Sequence, residues 1–161
     1  MDYGAARERA KSAELQLNLR EPVTLQSTHR HLEKMRGRQI LVQPMDNPDD
    51  KVCGLWFGLD DVDVIFHAHA ASEVHRQQIV LHEFAHMILR HEQEEISPEV
   101  VRNFFPDLDH DRVIKALKRT DFLDEFEVTA ELLADRLAAR IRQSQRRSAG
   151  GQPGAFGTIF G

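Results

Sequence analysis

Apolar residues are sparse and widely spaced over residues 1–36, with Leu15, Leu19 and Leu25 set among charged positions. The pattern reads as helical and is broken at Pro22, which cannot continue a helix. A second helix is expected from near Val23 or Thr24 to Arg36, turning Leu25, Leu32 and Met35 inward, with Gly37 as its stop. The period then changes. Arg38 to Gln43 reads as a strand ended by Pro44, and Asp46 to Asp50 as a turn. Val52 to Leu59 reads as a second strand, whose glycines mark a bulge or a tight approach. Val62 to His69 reads as a third, near enough to the second for an antiparallel hairpin. His67 and His69 fall on one face of it.

A long helix is expected from about residue 73 to 91, capped by Ser72. Arg90 to Glu95 is polar and is expected to carry the chain out of the core. Ser97-Pro98 opens a short helix to about Phe104. Asp109 caps another, from His110 to Arg119, that buries Val113, Ile114 and Leu117. The last helix starts at Asp121 or Asp124 and runs to Gln143. Its stripe is Phe122, Phe126, Ala130, Leu133 and Leu137. This pattern divides the chain into an N-terminal helical segment (1–22), a single domain (23–143) and a Ser/Gly/Pro-rich tail (144–161) expected to be disordered.

The chemistry lies on the long helix. His82-Glu83-x-x-His86 is an HExxH pattern. At about 100° per residue, two histidines four apart sit roughly 40° apart on one face, where both imidazoles reach one tetrahedral cation. Glu83 lies at the edge of that face, placed for a general base rather than a ligand. Such motifs also occur on ordinary amphipathic helices. Here, however, Val80, Leu81, Phe84, Ala85, Met87, Ile88 and Leu89 surround it, and a buried His-Glu-His set needs partners or a metal.

A catalytic zinc site takes three protein ligands. Glu127, Glu131 and Asp135 are spaced i, i+4, i+8 on one face of the last helix. Glu127 is the leading third ligand and Glu131 the alternative. Glu131 otherwise accepts the outer N–H of His82 or His86. Cys53 reads as a core thiol, with a fourth ligand as a remote alternative. His75 reads as exposed. Oxyanion assistance falls to His67, His69 or His110, because the one tyrosine, Tyr3, stands near the chain's start.

Composition narrows the function. Among 161 residues, 41% are hydrophobic and 29% charged, enough for one globular domain with a core. No run of 18 apolar residues suggests a membrane helix, and the first twenty residues show no secretory h-region. A single cysteine fits a reducing cytoplasm. The net charge of −5 argues against a general nucleic-acid surface. Arg136, Arg140, Arg142, Arg146 and Arg147 are a basic exception, read as a solvated helix end in preference to an anionic-partner site.

The stretches Gly54-Leu55-Trp56, Asp63-Val64-Ile65-Phe66, His75 with Ile79 to His91, and Glu127-Val128-Thr129-Ala130-Glu131-Leu132-Leu133-Ala134 together resemble the ImmA/IrrE-type metallo-endopeptidases, over about residues 25 to 140. In that family a Glu-x-x-Ala element after HExxH supplies the third ligand. The resemblance implies an α+β, zincin-like fold. A small antiparallel or mixed three-stranded sheet would pack against the HExxH helix and further helices. It also implies a cytoplasmic, bacterial zinc peptidase with Zn²⁺ on His82, His86 and Glu127 and Glu83 as general base. The protein substrate would be a separate helix-turn-helix regulator, with no direct nucleic-acid or membrane partner. Two departures stand out. Glu131 takes a place where relatives often have Asn or Asp, and residues 97–119 lengthen the interval before Glu127. The rival reading is a non-cleaving, metal-stabilised module that binds a regulator or toxin. A hydrolase of non-peptide amides and a Mn²⁺ or Fe²⁺ centre are further alternatives.

Overall fold

A computed structural model describes residues 2–45, 53–69, 72–97, 99, 102–103, 105–106, 114–117 and 125–150. Two helices come first, α1 (Tyr3–Leu17) and α2 (Leu25–Arg36). Asp2 caps α1 by accepting from the Ala5 N–H at 3.1 Å. Thr24 and Ser27 cap α2 reciprocally, and Gly37 ends it with φ 63°, a left-handed angle that glycine adopts without strain.

Three longer strands follow, β1 (Gln39–Met45), β2 (Gly54–Gly58) and β3 (Val62–Ala68). β2 and β3 form the expected hairpin, with Trp56 opposite Ile65. β1 lies parallel to β3 on its other side, with Val42 opposite Ile65. Pro44 does not end β1, because β1 is an outer strand of the sheet, where a missing N–H is tolerated.

Helix α3 (Glu73–Ile88) carries the HExxH pattern. Two short strands come next, β4 (Glu94–Glu95) and β5 (Lys115–Ala116), and then the long helix α4 (Glu125–Gly150). The described architecture is α+β, with four helices and a mixed sheet in the order β1-β3-β2-β5-β4. The sheet therefore has five strands instead of the expected three.

The helix expected over His110–Arg119 is corrected where it is described. Lys115 and Ala116 pair with Gly58 and Phe57 of β2. Ile114 and Ala116 are buried and Lys115 between them is exposed, the alternation of a strand. Residues 107–113 and 118–120, Val113 and His110 among them, lie outside the described residues. In the expected helix before Phe104, Glu99, Arg102 and Asn103 are helical.

The sheet separates two apolar clusters. One joins Trp56 and Ile65 to Val80, Leu81, Phe84 and Met87 of α3, to Leu133, Leu137 and Ile141 of α4, and to Ala10 and Leu17 of α1. The other gathers Met45, Phe57, Val64, Phe66, Ile114 and Ala116.

α1 thus belongs to the same core as the HExxH helix. Its buried Glu14 accepts from Arg136 Nε at 2.9 Å and pairs with Arg140 at 3.5 Å. Glu21 pairs with Arg140 and Arg147. Much of the basic stretch is therefore matched by acids of the same chain. α4 also continues beyond Gln143 to Gly150. Ser144 is buried, accepts from the Val23 N–H at 2.8 Å and donates to Glu21. The first seven residues of the expected tail are thus helical, because Ser144 ties them to the N-terminal turn.

Three assignments to the core are corrected: Met35 and Phe126 are exposed, and so is Cys53. No described helix is long and apolar enough to cross a membrane.

Candidate metal centre

Ser72 caps α3, accepting from the His75 N–H at 3.1 Å. Nearly every side chain from Ile79 to Met87 is then buried, and His86 and Glu83 are each only 1% exposed. α4 packs along α3 and brings Glu127 to the histidines from its first turn, where the positive end of the helix dipole favours a carboxylate.

Glu127 Oε2 lies 3.0 Å from His82 Nε2, and its Oε1 lies 3.2 Å from His86 Nε2. The two Nε2 atoms are 3.2 Å apart. Ligand atoms about 2.0–2.1 Å from a tetrahedral cation are about 3.3 Å from one another, so the three separations approach the edges of one coordination shell. His82, His86 and Glu127 could hold a metal ion. The donor set, two imidazoles and a carboxylate, suits a divalent one.

Each imidazole also has a partner behind it, at Nδ1. Glu131 Oε2 lies 2.8 Å from His82 Nδ1. An Nδ1 proton donates to this carboxylate, so Nε2 is the nitrogen that faces Glu127, donating to it at 3.0 Å when His82 is protonated and free for a cation when that proton is lost. Gln78 Nε2 steadies Glu131 at 3.3 Å and donates to Asp135 at 2.9 Å. Glu131 therefore stands behind His82, while Glu127 faces both ligand nitrogens. The spacing had left that choice open by one helical turn.

Charge in the cluster is strongly coupled. Burial disfavours a charged His82. Hydrogen bonds to Glu127 and Glu131 and the negative charges of Glu83 and Glu127 outweigh it, pushing His82 from an ordinary 6.5 up to about 10. The hydrogen bond from His82 holds Glu131 below its ordinary value. Burial and the neighbouring Glu131 charge raise Asp135. Without metal, a proton on His82 does part of a cation's work. A folded value above the unfolded one means that this stabilisation is full below about pH 6.5 and is lost as pH rises through about 10. Chelator-treated protein is therefore expected to melt at falling temperature across that window. Thermal scans at a series of pH values, with and without chelator, check this, and a flat chelated profile would contradict it.

Glu83 is held from the other side by the sheet. A Cβ added at Gly54 would lie 2.9 Å from Glu83 Oε1 and 2.9 Å from Ile79 Cγ2, closer than side chains pack. The tight approach expected of a β2 glycine is thus at the carboxylate itself. Gly54→Ala is expected to force α3 from β2 and to cost about 1–3 kcal/mol, the usual range for overpacking. Urea unfolding measures that loss, and an unchanged midpoint would show that the contact yields freely.

His67 is buried on β3, opposite Gly54 in register, with its Nδ1 3.0 Å from the Ala68 carbonyl. His69 and His75 are exposed, as expected for His75, and His110 lies outside the described residues. Of the two described oxyanion candidates, His67 is the one placed opposite Gly54 of the strand that abuts Glu83. β3 is flanked by β1 and β2, so it has no open edge with which to pair a peptide.

One neighbour of the centre escaped the sequence reading. His91 Nδ1 lies 2.8 Å from His86 Nδ1, although residues 90–95 read as a polar exit. α3 stops at Ile88, and the backbone turns back at Arg90. The available signal was a histidine five residues after His86, just past the end of the helix.

Comparison of the chain with family models, with curated proteins and with solved structures returns no match.

Proposed function

We propose that the chain is a zinc-dependent metallo-endopeptidase with a zincin-like fold, as the resemblance to ImmA/IrrE-type peptidases implies. The carrying observation is the convergence of His82, His86 and Glu127, from two helices, with the buried carboxylate of Glu83 on the same helix. A purely structural zinc site has no need of Glu83.

A bound divalent ion supplies a Lewis acid and lowers the pKa of a coordinated water toward about 7. The residues do the rest. His82 and His86 present Nε2 as neutral donors because their Nδ1 atoms are occupied behind them. Glu127 contributes the negative charge. Glu83 takes a proton from the attacking water and passes it to the leaving amine, so that one C–N bond breaks, one C–O bond forms and the carboxylate is regenerated. Burial keeps Glu83 close to the reaction and its proton shielded from bulk water.

The proposed substrate is a partner transcriptional regulator in the cytoplasm, supplied as a separate protein. If the neighbouring gene encodes a helix-turn-helix regulator, incubating the purified protein with it, with Zn²⁺ and with excess chelator, tests the reading. Chelator-sensitive fragments are expected. Stable binding without fragments would replace the peptidase by a metal-stabilised binding module.

A further inference from the structure

The helix bearing both imidazoles ends on a strained residue. Arg90 has φ 57°, the left-handed region that L-residues other than glycine, asparagine and aspartate rarely adopt. Its N–H donates to the Met87 carbonyl at 3.0 Å, and the His91 N–H donates to the His86 carbonyl at 3.1 Å. These paired bonds are a Schellman ending, in which the second residue past the cap folds its side chain back onto the last turn of the helix. Usually that contact is apolar. Here it joins His91 to His86, with ring centroids 5.0 Å apart and the two Nδ1 atoms at 2.8 Å.

The His91 ring also stacks on Phe126, at 4.4 Å between centroids and 29° between planes. Phe126 directly precedes Glu127 on α4 and is 53% exposed. This accounts for an aromatic residue outside the core: it faces His91. One imidazole is thus clamped between the two elements that carry the candidate ligands.

Two facing Nδ1 atoms at hydrogen-bond distance share one proton. If His86 is to offer the Nε2 lone pair to a cation, the proton sits on His86 Nδ1 and His91 Nδ1 accepts it. We propose that His91 is a positioning residue for His86: it fixes the ring and the tautomer that leave Nε2 open to the metal, and the turn at Arg90 with the Phe126 ring holds it there. The two candidate histidine ligands are then backed differently, His82 by a carboxylate and His86 by a neutral imidazole. This inference rests on the metal reading above.

The test uses the full chain, with Zn²⁺ affinity measured by competition against a chromogenic chelator and Co²⁺ absorption reporting ligand geometry. His91→Phe keeps a ring against Phe126 but removes the acceptor. It is expected to weaken binding about 10–100-fold, as loss of such outer partners does, and to alter the Co²⁺ spectrum. His91→Asn, whose amide oxygen can accept from His86 Nδ1, is expected to recover most of that loss. Melting in excess chelator reports packing alone and should be similar for wild type and His91→Phe. If the larger phenyl ring prevents folding, His91→Ala removes the acceptor without bulk and is expected to show the same loss. Wild-type affinity in His91→Phe or His91→Ala would overturn the inference, as would an Asn variant no better than the Ala variant. A wild-type protein that takes up no ion would fail earlier, overturning the metal reading and this inference with it.

Discussion

Glu83→Gln is expected to retain the metal and lose hydrolysis, by at least about 10²–10⁴-fold, the usual contribution of a positioned proton carrier. The substitution preserves shape at a site with little room. Glu83 is 1% exposed, and its Oε1 fills the space against Gly54. An amide of the same size should fit there, so the fold and the His82, His86 and Glu127 cluster are expected to persist. What the amide lacks is a carboxylate lone pair basic enough to take a proton from water. It also removes one of the charges that favour protonated His82. The three candidate ligands are untouched, so a metal-loaded variant should retain its ion. Metal content per chain and single-turnover cleavage together decide the matter. Cleavage at the wild-type rate with full metal content would remove Glu83 from the mechanism.

Glu127→Gln is expected to release the ion, and its effect should far exceed that of Glu131→Gln. Glu127 places one oxygen 3.0 Å from His82 Nε2 and the other 3.2 Å from His86 Nε2, so it contributes charge to both ligand nitrogens at once. Glu131 reaches only the outer nitrogen of His82, at 2.8 Å. Loss of such an outer partner costs about 10–100-fold in affinity. Loss of the only carboxylate in the cluster also leaves two neutral imidazoles to hold a dication, so the drop should go well beyond that range. Chelator competition on both variants measures the difference. If Glu131→Gln proved the more damaging, the ligand would have been assigned one helical turn too early.

Local elements of this chain were legible because they depend on short-range rules. Thr24, Ser72 and Gly37 cap helices where their side chains or backbone freedom permit it. The β2–β3 hairpin follows from two apolar runs with a short turn between them. The HExxH spacing alone puts two imidazoles on one helical face, whatever surrounds them. Misreadings came where a residue's fate depends on distant partners. Val113, Ile114 and Leu117 have helical spacing while Ile114 and Ala116 have strand spacing, and pairing with β2 chose the strand. Met35 continues the apolar pattern of α2, yet it is exposed. Ser144 looked like the start of a tail, and the Val23 backbone and the Glu21 carboxylate made it the anchor of about two more turns of helix.

The same division runs through the centre. Sequence by itself determined the helix, its two imidazoles, the acid between them and a short list of downstream carboxylates, because helical geometry is fixed by the chain's own hydrogen bonds. Only tertiary structure decided which carboxylate faces the rings, that His91 turns back to touch His86, and that Gly54 leaves room for Glu83. Each of these is a meeting of groups from separate elements, set by how α3, α4 and β2 bury their apolar faces together. A one-turn shift of α4 would have kept every local rule and presented a different acid.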